Sequence, residues 1–503
     1  MMMSRFLSWR HAPIVSLILL CSLTLFFGLG RISLVGSDEP RYAEIARAMW
    51  ATGDYVSPRL AGRLWLEKPP LLYWGQAFCY SVFGVNELAA RLPSALGALF
   101  IVLMLYGTAS RALGPRVALY VGVVAATMAM IVVPAHGATT DMPLCAMFAG
   151  AFLCLFRASI SQKHALKWNL ASAAFVGGAM LAKGLIGPLF FVLISGIWWL
   201  WARPDRAEFR PYAPRPLSSR LATFLAATAT FLAVSAIWYA PVWLRHGEVF
   251  WKEFFLNHHF KRFTSNTYKH WQPFYFYLSI LPICALPWTP WLVSALFGLR
   301  GLRPRTGARD SFLALAWVWA AIPIAFFSSS EAKLEFYILP SFPAIAILIG
   351  DSLARGALLP RAWKPKWVAV GGSALMIFVV LFLFLIYAPP RQDKLSTRAL
   401  CLQVAAQMKP GERATFLGLI KEYTPVFYLQ GRVVPGVGAI GSGGHDTFVA
   451  NTPAQLVPLL QNGSLIVFCK DDERALLEKN PAFSAQFLGS QRGVSAFRLQ
   501  ILN

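Results

Sequence analysis

Long apolar runs separated by short polar loops fill the first 390 residues of the chain. A membrane-crossing helix needs about 20 mostly apolar residues. Runs near that length lie at 13–33, 92–111, 116–135, 141–158, 221–244, 273–297, 312–328, 337–354 and 368–388. The stretch 168–202 is too long for one crossing at about 1.5 Å per residue. It is interrupted at Lys183-Gly184 and Gly187-Pro188, which predicts two helices there and eleven spans in all. A thirteen-span variant, with one further short hairpin, keeps the same parity. The N-terminal run has no small-residue cleavage site after it and is read as the first helix rather than a signal peptide.

Basic residues orient these spans. Twenty of them fall in six groups, at 5–10, 111–116, 157–167, 203–220, 300–309 and 355–366, which alternate correctly with eleven crossings. The positive-inside rule places that side in the cytoplasm. The amino terminus is then inside, and everything after about residue 390 is outside. The apolar run Pro69–Gly84 would invert every later loop if counted as a span. It is therefore predicted to be an interfacial helix on the outer face. Outside lie the loops 34–91 and 245–272 and the tail 391–503. The tail alternates strand-like runs at Ala414–Leu419, Leu465–Cys469 and Val494–Leu502 with helical patterns near 452–461 and 472–479, which predicts a small periplasmic α/β domain.

Composition supports this reading. Of 503 residues, 57% are hydrophobic and 14% charged, against roughly 45–50% and about 25% in soluble domains. The net charge of +23 suggests nucleic acid at first, but that requires a basic soluble domain or patch. Here the cations sit between apolar runs, so membrane lipids, not nucleic acid, are their expected partners. No CxxC occurs among the seven cysteines. Cys401 and Cys469, both in the outer tail, are either a disulfide pair or two buried thiols.

The first outer loop opens Ser37-Asp38-Glu39-Pro40-Arg41-Tyr42. Ser37 or Asp38 suits a helix cap, Pro40 its first turn, and Gly53 its end. Tyr42, Ile45, Ala46 and Met49 form one apolar stripe, so the helix is predicted to lie along the membrane surface. Asp38 and Glu39 also suit the helix amino terminus electrostatically. The loop closes on Glu67-Lys68-Pro69-Pro70, and Thr139-Thr140-Asp141 stands at another outer junction. Asp38, Glu67 and Asp141 are thus expected to share one depth on the outer face, where carboxylates are more often functional than ornamental. The loop His258-His259-Phe260-Lys261-Arg262-Phe263 is cationic and aromatic, suited to a phosphate at the membrane surface. Lys333 and Tyr337 are spaced to share a helix face, if that turn is helical.

These pieces resemble one family. Ser37–Ile45, Leu66–Leu71, Thr139–Met142, His259–Phe263, Leu286–Trp288 and Tyr337–Pro340 match, in order, motifs of the bacterial relatives of the protein O-mannosyltransferases, specifically the aminoarabinose (lipid A) transferase group. The resemblance implies a GT-C glycosyltransferase of the bacterial inner membrane. Such an enzyme takes a sugar from an undecaprenyl-phosphate or similar polyprenyl-phosphate carrier and gives it, on the periplasmic side, to lipid A or another envelope acceptor. It further implies that Asp38 and Asp141 are catalytic and that Lys68, Arg262 and Tyr337 hold the donor phosphate; the shared face adds Lys333 to that set. Glu67 and His259 resemble a pair that binds a divalent metal (Zn, or Mg or Mn). A protein acceptor is the alternative, and a transporter or a sensor built on the outer domain are the other classes. The first would place ionisable groups at mid-membrane in paired repeats, and the second has no need of three converging carboxylates.

Overall fold

The computed structural model describes residues 12–161, 163–202, 216–254, 271–298, 307–358, 364–418, 423–434, 449–460 and 463–502. The chain forms two compact units, one of residues 1–27 and 93–382, the other of residues 28–92 and 383–503.

The first unit is helical. Its elements include α1 (Ala12–Cys21), most of α4 (Glu87–Ala112), α5 (Pro115–Thr127), α6 (Ala129–Ala135), α7 (Asp141–Ile160), α8 (Ala165–Lys183), α9 (Ile186–Ala202) and α10 (Leu217–Phe250). Among the described residues six helices are long and apolar enough to cross a membrane: Glu87–Ala112, Asp141–Ile160, Leu217–Phe254, Ala308–Ser328, Glu335–Ala354 and Pro365–Tyr387. The pair α5 and α6, bent by 52°, makes a seventh if it is one span. This is a multi-pass membrane protein. The expected break in 168–202 is present, since α8 ends at Lys183 and α9 starts at Ile186, with Gly184 at a φ of 76° between them. The bend between α5 and α6 falls at an extended Met128, and the freed Ala129 N–H donates to Leu286 O at 2.8 Å.

Several helix ends meet in this unit. Arg157, near the end of α7, donates to Thr108 near the end of α4 and lies 4.8 Å from the ring of Trp168 at the start of α8. Arg309 and Arg355, from two separate basic groups, both pair with the buried Asp351. Backbone approach is close where small residues allow it. A Cβ on Gly350 would stand 2.6 Å from Val121 Cα, so only glycine lets the helix Phe342–Ala354 rest on α5.

The second unit combines the first loop with the tail. Its loop part holds α2 (Asp38–Thr52), a hairpin of β1 (Arg59–Leu60) and β2 (Arg63–Leu64), and α3 (Leu71–Phe83). With 13 residues, α3 is about 20 Å long, too short to cross a bilayer. The limits of α2 are those the sequence suggests, Asp38 to Gly53, although the Ser37 side chain makes no capping bond. The apolar stripe does not face lipid. Tyr42, Ile45, Ala46 and Met49 are all buried. The rings of Tyr42 and Tyr73 stand 5.9 Å apart, and the Tyr80 hydroxyl donates to Ala43 O. Each large side chain so covered contributes about 1.5–3 kcal/mol. An apolar stripe reveals that a face is covered, not what covers it.

One arginine organises the entry to this unit. Arg91 is fully buried and uses all five of its donors. Nε and Nη2 clamp Glu39 at 3.0 and 2.7 Å, Nη1 reaches the carbonyls of Leu29 and Ile32, and Nη2 also reaches that of Ser33. Glu39 is therefore a structural anchor.

The tail carries a five-stranded sheet in the order β4-β3-β5-β7-β6, with β3 at Arg413–Leu417, β4 at Val449–Ala450, β5 at Leu465–Lys470, β6 at Phe483–Gln491 and β7 at Val494–Ile501. β3 runs parallel to both β4 and β5, while β7 runs antiparallel to β5 and β6. Leu417, Val467, Phe497 and Leu499 form its core with Leu456, Leu460 and Leu477 from the two short helical segments the sequence marks. The strand β6 escapes sequence reading because its exposure does not alternate cleanly. Cys401 and Cys469 are both buried and form no disulfide, so of the two sequence readings the thiols hold.

Candidate active site

Within the second unit the first turn of α2 and the segment Trp65–Lys68 build a chain of charges. Asp38 is half exposed and accepts from Arg41 Nη2 at 2.7 Å. Arg41 is buried, and its Nη1 lies 3.4 Å from Glu67, which in turn lies 3.4 Å from Lys68 Nζ. The spacing of Asp38 and Arg41, three residues apart on a helix, puts them on one face. Aromatic rings wall the guanidinium. Its central carbon stands 4.9, 5.6 and 5.5 Å from the rings of Tyr42, Trp65 and Tyr423. Burial opposes the charge of Arg41, but Glu67, Tyr42 and Asp38 outweigh it and hold the guanidinium protonated well above its ordinary range. Burial, then the neighbouring carboxylates, pushes the phenols of Tyr42 and Tyr73 up, so both stay neutral. The Tyr73 hydroxyl is buried and meets no partner among the described residues. A buried polar group of that kind needs an oxygen or a water to complete it.

The first unit holds a second cluster. Asp141 opens α7, and Lys183 Nζ, from the last residue of α8, donates to it at 2.5 Å. The same ammonium lies 4.9 Å from the ring centroid of Tyr337. Lys333 is not part of this cluster. It lies outside the 3₁₀ turn Glu335–Ser341, so it shares no helix face with Tyr337, and its Nζ donates to the carbonyls of Gln272 (2.8 Å) and Ser330. Arg262 and His259 lie outside the described residues. Asp38, Glu67 and Lys68 are thus brought together, and Asp141 joins Tyr337. Sequence reading misses Arg41 and Lys183, the cations that tie each cluster. The signal for Lys183 was its place at a helix end opposite Asp141, visible only once α7 and α8 are known to pack.

The described residues do not by themselves make a metal site. Among them no three His, Cys, Asp or Glu side chains converge. Glu67, the carboxylate expected to bind metal, already lies between two cations.

Comparison with known proteins gives these clusters a setting. Residues 67–239 match the family model described as dolichyl-phosphate-mannose-protein mannosyltransferase. The chain is 32% identical over 343 residues to the undecaprenyl phosphate-alpha-4-amino-4-deoxy-L-arabinose arabinosyl transferase of Pseudomonas aeruginosa. It is 30% identical over 354 residues to the enzyme of the same name from Edwardsiella ictaluri. The crystal structure of ArnT from Cupriavidus metallidurans bound to undecaprenyl phosphate superposes with a TM-score of 0.80, covering 97% of this chain and 98% of that one at 23% identity. This chain shares the fold of ArnT and, over residues 67–239, matches the mannosyltransferase family model. The GT-C fold extends further, to the archaeal oligosaccharyltransferase AglB from Archaeoglobus fulgidus, with a TM-score of 0.51 and 11% identity over 97% of this chain and 74% of that one. Identity with the curated relatives is confined to part of each chain. It covers 67% of this chain and 58% of the Pseudomonas aeruginosa protein, and 68% and 61% for the Edwardsiella ictaluri one.

Proposed function

We propose that this GT-C protein is an inner-membrane glycosyltransferase that moves a sugar from undecaprenyl phosphate, or a closely similar polyprenyl carrier, to lipid A or another envelope acceptor. The reading rests on one observation above the rest. A half-exposed carboxylate, Asp38, is held at 2.7 Å by a buried arginine that Glu67 and an aromatic wall fix in place. That arrangement keeps an oxygen anion in one position at low cost in reorganisation, as acid–base and electrostatic catalysis both need.

In the reaction an acceptor oxygen bonds to the anomeric carbon while the bond from that carbon to the carrier phosphate breaks. Polyprenyl phosphate leaves with the bonding pair. Asp38 takes the proton of a hydroxyl acceptor; for an ionised phosphate acceptor it instead steadies the positive charge growing at the anomeric carbon. We assign the departing phosphate to Lys68 and Arg262, and assign Tyr337, with the Lys183–Asp141 pair beside it, to the same step.

Initial rates with a radiolabelled polyprenyl-phosphate sugar and purified protein test the assignment. Lys68→Met should lower transfer on the order of 10²–10³-fold, the size seen for loss of one group that stabilises developing charge. Unchanged rates at every donor concentration would remove Lys68 from the donor site. Mass spectrometry of lipid A with and without the protein identifies the acceptor, and modified envelope proteins in place of modified lipid A would favour the protein-acceptor reading.

We also propose eleven spans, an amino terminus in the cytoplasm and a periplasmic tail, on the alternation of basic groups. Cysteines engineered into 203–220 should resist a membrane-impermeant maleimide in intact cells, and those at 245–272 should react. The opposite pattern would invert the topology.

A further inference from the structure

The second unit contains a cavity of about 920 Å³ that takes none of its walls from Asp38, Arg41, Glu67 or Lys68. Its lining comes from the far end of α2, the β1–β2 hairpin, the turn before β3 and the segment 431–434. The charge of that lining is one-sided. Arg59, Arg63, Lys409, Arg413 and Arg432 line it, and its two carboxylates are committed elsewhere. Glu44 is held bidentate by Arg47, with Nε and Nη2 donating at 2.6 and 2.8 Å. Glu412 is buried and accepts from Arg498 Nε at 2.8 Å and from the Ser464 hydroxyl at 2.7 Å. Among the described residues the side chains of Lys409, Arg413 and Arg432 form no ion pair with a carboxylate, although the Lys409 backbone N–H donates to Glu412 at 2.9 Å.

The backbone is adapted to hold this shape. Gly431 has a φ of 82°, and a Cβ there would stand 2.5 Å from Arg47 Nη2. Glycine at this point keeps Arg47 seated on Glu44, so that the pair closes one wall without adding negative charge to the cavity.

We infer that this cavity is an anion site for the sugar-phosphate headgroup of the acceptor glycolipid, a saccharide that carries more than one phosphate or carboxylate. The inference rests on the proposed transfer to an envelope acceptor and adds the surface that recognises it. Volume and chemistry both select this occupant. The space lies near the top of the range for small-molecule sites, about 300–1,000 Å³, so a single phosphate would leave most of it unfilled. Guanidinium forks match phosphate and carboxylate geometry. Among the described residues no aromatic side chain lines the cavity, so they offer no stacking platform of the kind single-stranded nucleic acid uses. Six cations along its walls, Arg47 among them, make it a poor place for an acyl chain.

The test uses the full chain in nanodiscs of phosphatidylcholine and, as a soluble probe, a deacylated glucosamine disaccharide carrying two phosphates. Calorimetric titration should show binding that weakens with salt. The triple variant Arg59→Gln, Arg413→Gln, Arg432→Gln should bind roughly tenfold more weakly or worse, since each exchange removes a charge-assisted contact. The single variant Arg432→Gln, read beside its melting temperature, guards against misfolding of the triple, and should show a smaller loss in the same direction. Inorganic phosphate should compete poorly, and nanodiscs containing phosphatidylglycerol should not block the probe. Absence of binding to the wild type, or equal binding to folded variants, would overturn the inference. So would equal affinity for inorganic phosphate, which would make the site one for free phosphate, or displacement by phosphatidylglycerol, which would make it a lipid-headgroup site. Undecaprenyl phosphate binding in the same samples separates the two claims. If the donor lipid binds and the disaccharide does not, only the acceptor site falls; if neither binds, the proposed function falls with it.

Discussion

Replacing Asp38 with asparagine should lower sugar transfer by about 10²–10⁴-fold, the range for loss of a positioned acid–base group, while the protein stays inserted and folded. Two features of the structure separate this from a structural effect. Asparagine caps a helix nearly as well as aspartate, and Asp38 is half exposed, so no buried cavity or orphaned group results. Arg41 keeps its partner Glu67 and its three aromatic neighbours. The variant therefore removes the charge and little else. Rates should be measured over a range of donor and acceptor concentrations, with the melting temperature recorded alongside. Near-normal turnover of a normally folded Asp38→Asn protein would assign Asp38 to the helix terminus and refute its role in catalysis.

The largest stability effect is expected at Arg91. Arg91→Met should cost about 3–5 kcal/mol, the usual penalty for removing one partner of a buried ion pair. It leaves the buried Glu39 without its arginine and strips hydrogen bonds from the carbonyls of Leu29, Ile32 and Ser33. The double variant Arg91→Met, Glu39→Met should recover part of the loss, because it no longer buries a carboxyl that has lost its arginine, but not the part owed to the three carbonyls. Thermal unfolding of detergent-purified protein checks both. If Arg91→Met melts like the wild type, the clamp at the entry to the second unit is not what fixes this segment.

Much of the chain was legible before its structure. Apolar runs located the helices, and Gly184 marked the boundary between α8 and α9. Asp38, Pro40 and Gly53 bounded α2, because caps and turns act through local backbone geometry that a short window of sequence contains. Arg41, Arg91 and Lys183 were not legible as ties. Each is a cation whose partner lies in another segment or whose burial depends on packing, and in sequence each looks like a residue of a helix surface. The cavity cations show the same limit. Arg59, Lys409 and Arg432 come from three separated stretches and converge only because β3 and the segment before Val433 are paired beside α2.

The seven cysteines, all reduced and six of them buried, bear on how this protein can be made and handled. No covalent cross-link between cysteines is part of the native state. The tail's sheet is held by side-chain packing and hydrogen bonds alone, so a reducing cell-free extract or a buffer containing thiols removes nothing from it. Because only Cys284 is partly accessible, single reporter thiols can be introduced with at most one native cysteine replaced.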